Sequence, residues 1–234
     1  MKKIIAIALV LVMALGIFAG CGASKSMTLE EGKLIMSTNA AFPPYEMTDD
    51  AGNYIGIDVE IAQAIADKLG LELVIDNMEF TAALEAAQKG KSDMVMAGVT
   101  VNEERLKVMD FSDSYATGVQ VVIVTENSPI KSVDDLFTCN PVIGVQMATT
   151  GDLYSTWDLE DAGLATINRY PNGNDATMAL VAGKIDCVII DNEPAKAFVN
   201  AIEGLKILDT AYAVEEYAAA MNKDNTALYE AANA

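Results

Sequence analysis

Arg105 closes the stretch "MAGVTVNEER" (96–105), where an apolar strand-like run meets the start of a helical pattern. A helix N-terminus carries about half a positive charge, so Glu103 and Glu104 belong there and a cation is mildly unfavourable. A cation beside exposed N–H groups makes sense if a negative group is brought there to bind both. Pairing with a surface carboxylate is the ordinary alternative in so acidic a chain. Asp191 ends another apolar run, "DCVIID". Further candidates stand at strand ends: Asn39 and Phe42 in "TNAAFPPYE", Phe80 after "VIDNME", then Ala97, Gly98 and Thr100, and Gln146, Thr149 and Thr150 in "GVQMATTGD". One cation, one anion, two aromatics and several neutral hydrogen-bonding groups suit a free amino acid. Arginine would take the α-carboxylate, aspartate the α-ammonium, and aromatic faces the stem. Singly, each has a duller role: Phe42 and Phe80 as core, Asp191 as a helix cap, "MATTG" as a turn with an N-cap.

The elements that would position these residues alternate along the chain. Strand "LIMSTN" (34–39) is followed by helix "IDVEIAQAIADKLG" (57–70), with Ile57, Ile61, Ile65 and Leu69 on one stripe and Gly70 as its stop. Strand "LELVID", helix "TAALEAAQKG", strand "DMVMAG" and helix "NEERLKVM" continue a βαβ series, which implies a mainly parallel sheet with helices on its faces. Between them "MTDDAGNYIG" reads as a hairpin with a solvated turn at Asp50 to Asn53 rather than a calcium loop. After "DFSDSYATG" a second α/β series runs from "VQVVIV" (119–124) to "NEPAKAFVNAIEG". "LKILD" and "EEYAAAM" would return the chain to the first unit, giving two crossings near 115–120 and 208–214, a hinge. In open α/β sheets ligands sit beyond the carboxyl ends of strands, so two facing units form a cleft there.

Composition narrows the function. The chain has 234 residues, 52% hydrophobic, with a net charge of −19. Histidine is absent, which excludes Ser-His-Asp or Cys-His catalysis and histidine metal sites. No catalytic residue, cofactor or metal is assigned. The start, "MKKIIAIALVLVMALGIFAGCG", pairs two lysines with a short apolar run and small residues before Cys21, an export signal over residues 1–20. Its removal leaves 13 basic against 34 acidic residues, a charge of −21. Nucleic acid is therefore not a partner, and anionic lipid would repel the protein. Residues 21–30 are small and polar, as a tether should be. Cys139 and Cys187 could form one disulfide or remain two buried thiols.

"STNAAFPPYEM", "GIDVEIAQAIADKLG", "AGVTVNEERLKVMDFSDSY", "GVQMATTGD" and "DCVIIDNEPA", in this order and spacing, closely resemble the extracellular solute-binding proteins of family 3, the polar amino-acid receptors of ABC importers. The resemblance implies a two-lobed periplasmic-binding-protein type II fold. Lobe 1 would comprise residues 31–116 with 212–234, and lobe 2 residues 117–211. It implies that Arg105 grips the carboxylate with Thr100 and the Thr150 amide, that Asp191 and the Gly98 carbonyl take the ammonium, and that Phe42 and Phe80 flank the side chain. Asn39 and Gln146 fall where the family varies with ligand. "FAGC" resembles the lipoprotein cleavage box, with Phe18 in place of the usual leucine. This implies that Cys21 becomes a lipid-carrying, palmitate-bearing first residue on the outer face of the cytoplasmic membrane. A monomer working with ABC permease subunits is expected. Family members continue past a helix like "DNTALYEAANA" to another short helix, so a whole chain and a C-terminally truncated fragment both stand open.

Cyclohexadienyl dehydratases resemble the same receptors and are the enzymatic alternative. They need a buried general acid, and packing or surface roles are expected for the nearest acids, Glu46 and Glu79. A sensory domain of a receptor kinase or channel would need a membrane segment after the second unit. With neutral amides at Asn39 and Gln146, the cleft is expected to prefer a neutral polar amino acid over a basic one, at about two to one.

Overall fold

The computed structural model describes residues 26–234; the export segment and Cys21 lie outside them. Strand β1 (Lys33–Thr38) leads into a small antiparallel sheet of β2 (Ala41–Phe42), β3 (Glu46–Thr48) and β4 (Tyr54–Ile55), and then into helix α1 (Ile57–Leu69). Strand β5 (Glu72–Asn77), α2 (Phe80–Gln88), β6 (Met94–Val95), the single-turn α3 (Glu103–Leu106) and β7 (Met109–Phe111) follow. The second series is β8 (Ala116–Thr125), a 3-10 turn (Val133–Phe137), β9 (Val142–Gln146), α4 (Thr150–Ser155), β10 (Thr166–Tyr170), α5 (Gly173–Val181), β11 (Cys187–Asp191), α6 (Asn192–Ala201) and β12 (Leu205–Ile207). The chain ends through β13 (Ala213–Tyr217), β14 (Ala220–Asn222) and α7 (Thr226–Ala232).

These elements form two lobes, each built on one sheet. The first sheet has the order β5-β1-β6-β14-β7, and the second β10-β9-β11-β8-β12 with β13 also on β8. The βαβ runs pair in parallel, β1 with β5 and β6, and β9 with β10 and β11. Antiparallel pairing is confined to the strands that enter from the crossings, β14 in the first sheet and β8 in the second. β13 lies along β8 from Ala213 opposite Gln120 to Tyr217 opposite Ala116. The paired stretches Ala116–Gln120 and Ala213–Tyr217 run side by side next to the two expected crossings. α7 joins the first lobe, where Leu228 is buried with Leu34, Met36 and Met94.

Helix α1 stops where Gly70 takes φ 68° and its N–H reaches the carbonyls of Ala66 and Asp67, a left-handed closure that glycine adopts at no steric cost. Its buried line is Asp58, Ala62 and Ala66, and Ile57 is 40% exposed. The expected isoleucine stripe is thus rotated: Ile61, Ile65 and Leu69 pack at its flank, while small alanines let the helix lie close on the sheet. Helix "NEERLKVM" is also shorter than its pattern suggests. It ends at Leu106 because Met109 and Phe111 are buried alternately as a strand paired with β14. The 49–53 turn matches expectation, with Asp49 Oδ1 accepting from the Ala51 and Asn53 amides. Cys139 is exposed and Cys187 buried, both as free thiols, so the disulfide is not formed and only one of the two thiols is buried. Among the described residues no helix is long and apolar enough to cross a membrane.

Candidate ligand-binding site

All eleven residues singled out from the sequence (Asn39, Phe42, Phe80, Ala97, Gly98, Thr100, Arg105, Gln146, Thr149, Thr150 and Asp191) line one cavity, together with Glu46. The cavity, with about 320 Å³ of empty space counted out to open solvent, draws its wall from both lobes. The facing strand ends and helix starts that follow β1, β6, β9 and β11 converge there, as the parallel pairing requires.

Arg105 owes its position to Asn102, whose side chain accepts from the Arg105 backbone amide at 2.9 Å and caps α3. The guanidinium is then free of its own helix. Nη1 donates to the Thr100 carbonyl at 2.9 Å and Nη2 crosses to the Ala148 carbonyl at 3.0 Å. Ala148 holds φ 62°, an uncommon conformation for a residue with a Cβ, and its amide donates to Asp152 at 2.8 Å. The Phe80 ring lies 5.5 Å from the Arg105 guanidinium. Phe80 thereby supports the arginine as well as walling the cavity. Arg105 is 7% exposed, and among the described residues no carboxylate forms an ion pair with it. Burial pulls its pKa down to about 10, which leaves it charged at neutral pH and short of a counter-ion.

Asp191 sits at the N-cap of α6 yet makes no capping bond with its side chain. Its Oδ2 accepts from Gln120 at 2.8 Å, whereas Oδ1 is buried without a partner. Burial first, and then the Glu215 carboxyl, raise the Asp191 pKa well above the ordinary carboxylate range. A cation brought to Oδ1 would restore the ionised form.

Gly98 has φ +54°, and a Cβ there would lie 2.8 Å from the Phe42 ring. The absent side chain lets Phe42 close over the backbone, while the Gly98 amide donates to Asp58 at 2.9 Å. On the facing wall Gln146 donates to Asn39 at 3.0 Å, and Asn39 to the Met78 carbonyl at 2.9 Å. Thr149 caps α4 and donates to the Gln146 carbonyl at 2.8 Å. Thr150 donates to the Thr100 hydroxyl, which donates in turn to Glu215.

Three acids around the cavity were not legible as site residues. Glu46 is a fully buried part of the wall, so of the packing or surface role expected of it the surface one does not hold. Asp58 backs it from α1, and Glu215 reaches Thr100 from β13. Glu46 and Asp58 stand in the quoted "PPYE" and "GIDVE" segments, but only burial distinguishes them from surface acids. No group of His, Cys, Asp or Glu among the described residues is placed to hold a metal ion.

Residues 34–234 match the bacterial extracellular solute-binding proteins, family 3, and the chain belongs to that family. It is 31% identical over 224 residues to the arginine-binding extracellular protein ArtP of Bacillus subtilis (strain 168), covering 93% of this chain and 86% of that protein. It is 28% identical over 233 residues to the L-cystine-binding protein TcyJ of Escherichia coli (strain K12), covering 98% and 85%. Among solved structures, the arginine-bound form of truncated ArgBP from T. maritima superposes with a TM-score of 0.80 at 34% identity, over 86% of this chain and 93% of that one. An ancestral arginine-binding protein bound to glutamine gives 0.80 at 36%, over 87% and 90%.

Proposed function

We propose that this chain is the substrate-binding component of an ABC importer and captures a free polar amino acid between its two lobes, without turning it over. The observation that carries this reading is the pairing of one buried cation, Arg105, with one buried acid, Asp191, both lining the same cavity, the acid with its Oδ1 unpartnered. The α-carboxylate would replace the carbonyls around Arg105, with Thr100 and the Thr150 amide. The α-ammonium would meet Asp191 and the Gly98 carbonyl. Phe42 and Phe80 would hold the stem, with Ala97, Thr149, Asn39 and Gln146 completing the wall. The known ligands of relatives, arginine, cystine and glutamine among them, share these α-groups and differ beyond them.

The two lobes would close about a hinge formed by the paired strands β8 and β13, with residues 31–116 and 212–234 moving against 117–211. Export by residues 1–20, a lipid on Cys21 and a tether over 21–30 would hold a monomer at the outer face of the cytoplasmic membrane beside its permease. Support comes from the sequence of the export segment and from the extracellular character of the family.

Mass spectrometry of the denatured, freshly purified protein tests the reading. A single co-purified amino acid that rebinds the stripped protein is expected. Recovery of no amino acid, with no calorimetric response to any of the twenty, would refute it, and so would product formed from prephenate or arogenate.

A further inference from the structure

We propose that Gln120, on the hinge strand β8, is the positioning residue for Asp191: its amide donates to one oxygen of that carboxylate and leaves the other for the ligand's α-ammonium. The inference rests on the reading of the cavity as an amino-acid site and deepens it by naming a residue outside the cavity that governs the acid inside it.

Asp191 ends β11 directly opposite Gln120 on β8, and directly opposed residues of an antiparallel pair put their side chains on one face. Gln120 Nε2 thus reaches Asp191 Oδ2, donating at 2.8 Å. On its other edge the same residue pairs with Ala213 of β13, and its carbonyl accepts from the Tyr212 amide at 2.7 Å. Gln120 is 1% exposed and does not line the cavity, so it acts on a ligand through Asp191. Its amide has little room to turn, since a Cβ on Gly151 of α4 would lie 2.9 Å from Gln120 Oε1. Helix α6 does not hold the carboxylate, which makes no capping bond there, and Oδ1 is buried without a partner.

A neutral amide suits this place. A lysine or arginine at 120 would neutralise Asp191 and compete with the ligand's ammonium, and an apolar residue would leave Oδ2 without its donor in a dry setting. The charged and titratable groups that face Asp191 are Glu215 on β13, Arg105 on α3, and Tyr45 and Glu46 where β3 begins. Burial and Glu215 favour the protonated acid, whereas Arg105 and the Gln120 donor favour the carboxylate. Of the two that favour it, Gln120 is the one bonded to it. An N–H given to a carboxylate stabilises its charged form. With that donor removed, Asp191 keeps its proton to higher pH, and the proton must leave for solvent before a ligand's ammonium meets a charge.

Calorimetry of the stripped protein from about pH 5 to about pH 8 tests this. The probe is whichever of the twenty amino acids binds the wild type most tightly. Gln120→Met keeps the length of the side chain and removes the donor. Its affinity should fall at least ~10-fold at the acid end of the range, and the loss should shrink as pH rises, because one unit in the acid's pKa is tenfold in its charged population where the proton is still held. A residue that only fills space would give the same loss at every pH, or none, and either result overturns the inference. Gln120→Glu shares one proton with Asp191 and so returns a donor, and its affinity at about pH 6 should stay within ~10-fold of the wild type. A larger loss there would also overturn the inference. Each variant decides alone if the other does not fold, and failure of both to fold would make Gln120 a structural residue instead. These results leave the amino-acid reading intact, whereas silence of the wild type with every amino acid would overturn both.

Discussion

The Thr150 hydroxyl donates to the Thr100 hydroxyl across 2.8 Å, joining the first turn of α4 in one lobe to the segment after β6 in the other. The Thr100 hydroxyl donates in turn to Glu215, a buried acid on strand β13. The contact between lobes is thus anchored on the strand that also forms the hinge.

Thr100→Val keeps the shape of the side chain and removes this relay. Glu215 then loses the Thr100 donor in a buried setting, where an unsatisfied polar group costs about 1–3 kcal/mol. Thermal denaturation should show that loss; a midpoint unchanged within error would mean that Glu215 is satisfied otherwise.

Arg105→Ala should abolish amino-acid binding and leave the fold nearly intact, because Asn102 caps the backbone of α3 whatever the side chain at 105. Loss of one partner of a desolvated charge pair costs about 2–5 kcal/mol, at least ~30-fold in affinity. Asp191→Ala should lose as much, leaving the ligand's ammonium without its counter-charge. Wild-type affinity in either variant, measured by calorimetry, would remove that residue from the site.

Gly98→Ala places a methyl 2.8 Å from the Phe42 ring and forces a left-handed residue to carry a Cβ. The backbone cost alone is about 1–2 kcal/mol, and Phe42 must shift out of the cavity. Both a lower denaturation midpoint and at least ~10-fold weaker binding are expected; retention of both would show that Phe42 has room to move.

Stability should fall as pH rises. Glu46, Asp58, Asp191 and Glu215 all have raised pKa values through burial. Above the ordinary carboxylate range the folded protein therefore still holds protons that the unfolded chain has released. That advantage is complete at low pH and is lost as pH climbs through the folded values, at about 1.4 kcal/mol per pH unit for each proton difference. The exposed acids with lowered values, Asp49 and Asp135, already give their full contribution in this window. Melting followed from about pH 5 to about pH 8 should show a falling midpoint, at least ~3 °C per unit where one proton is lost. A flat or rising profile would contradict the buried acids being protonated.

Cys21→Ser should release the protein from the membrane fraction or block its processing. Wild-type protein should carry an acyl mass on Cys21; recovery of wild type wholly soluble, without that mass, would reject the anchor.

The sequence by itself determined most of the secondary elements and the two-unit α/β pattern, because both follow from local periodicity; the helical pattern of "NEERLKVM" ran on into what is strand β7. Helix α1 ends at the glycine that the pattern marks, and the apolar runs at 187–191 and 142–146 are strands. It also determined the eleven cavity residues, because ligand sites in parallel sheets lie at strand ends, a one-dimensional property. What it misplaced depended on packing. The buried line of α1 turned out to be Asp58, Ala62 and Ala66 rather than the isoleucines, since close approach to the sheet favours small side chains over bulky ones. Only the tertiary structure decided that Glu46, Asp58 and Glu215 are site acids. Their neighbours, Asp58 for Glu46 and Thr100 for Glu215, lie on other elements, 115 residues away in the last case. An acid's charge state is set by burial and by what faces it, and neither quantity is written in the order of residues along the chain.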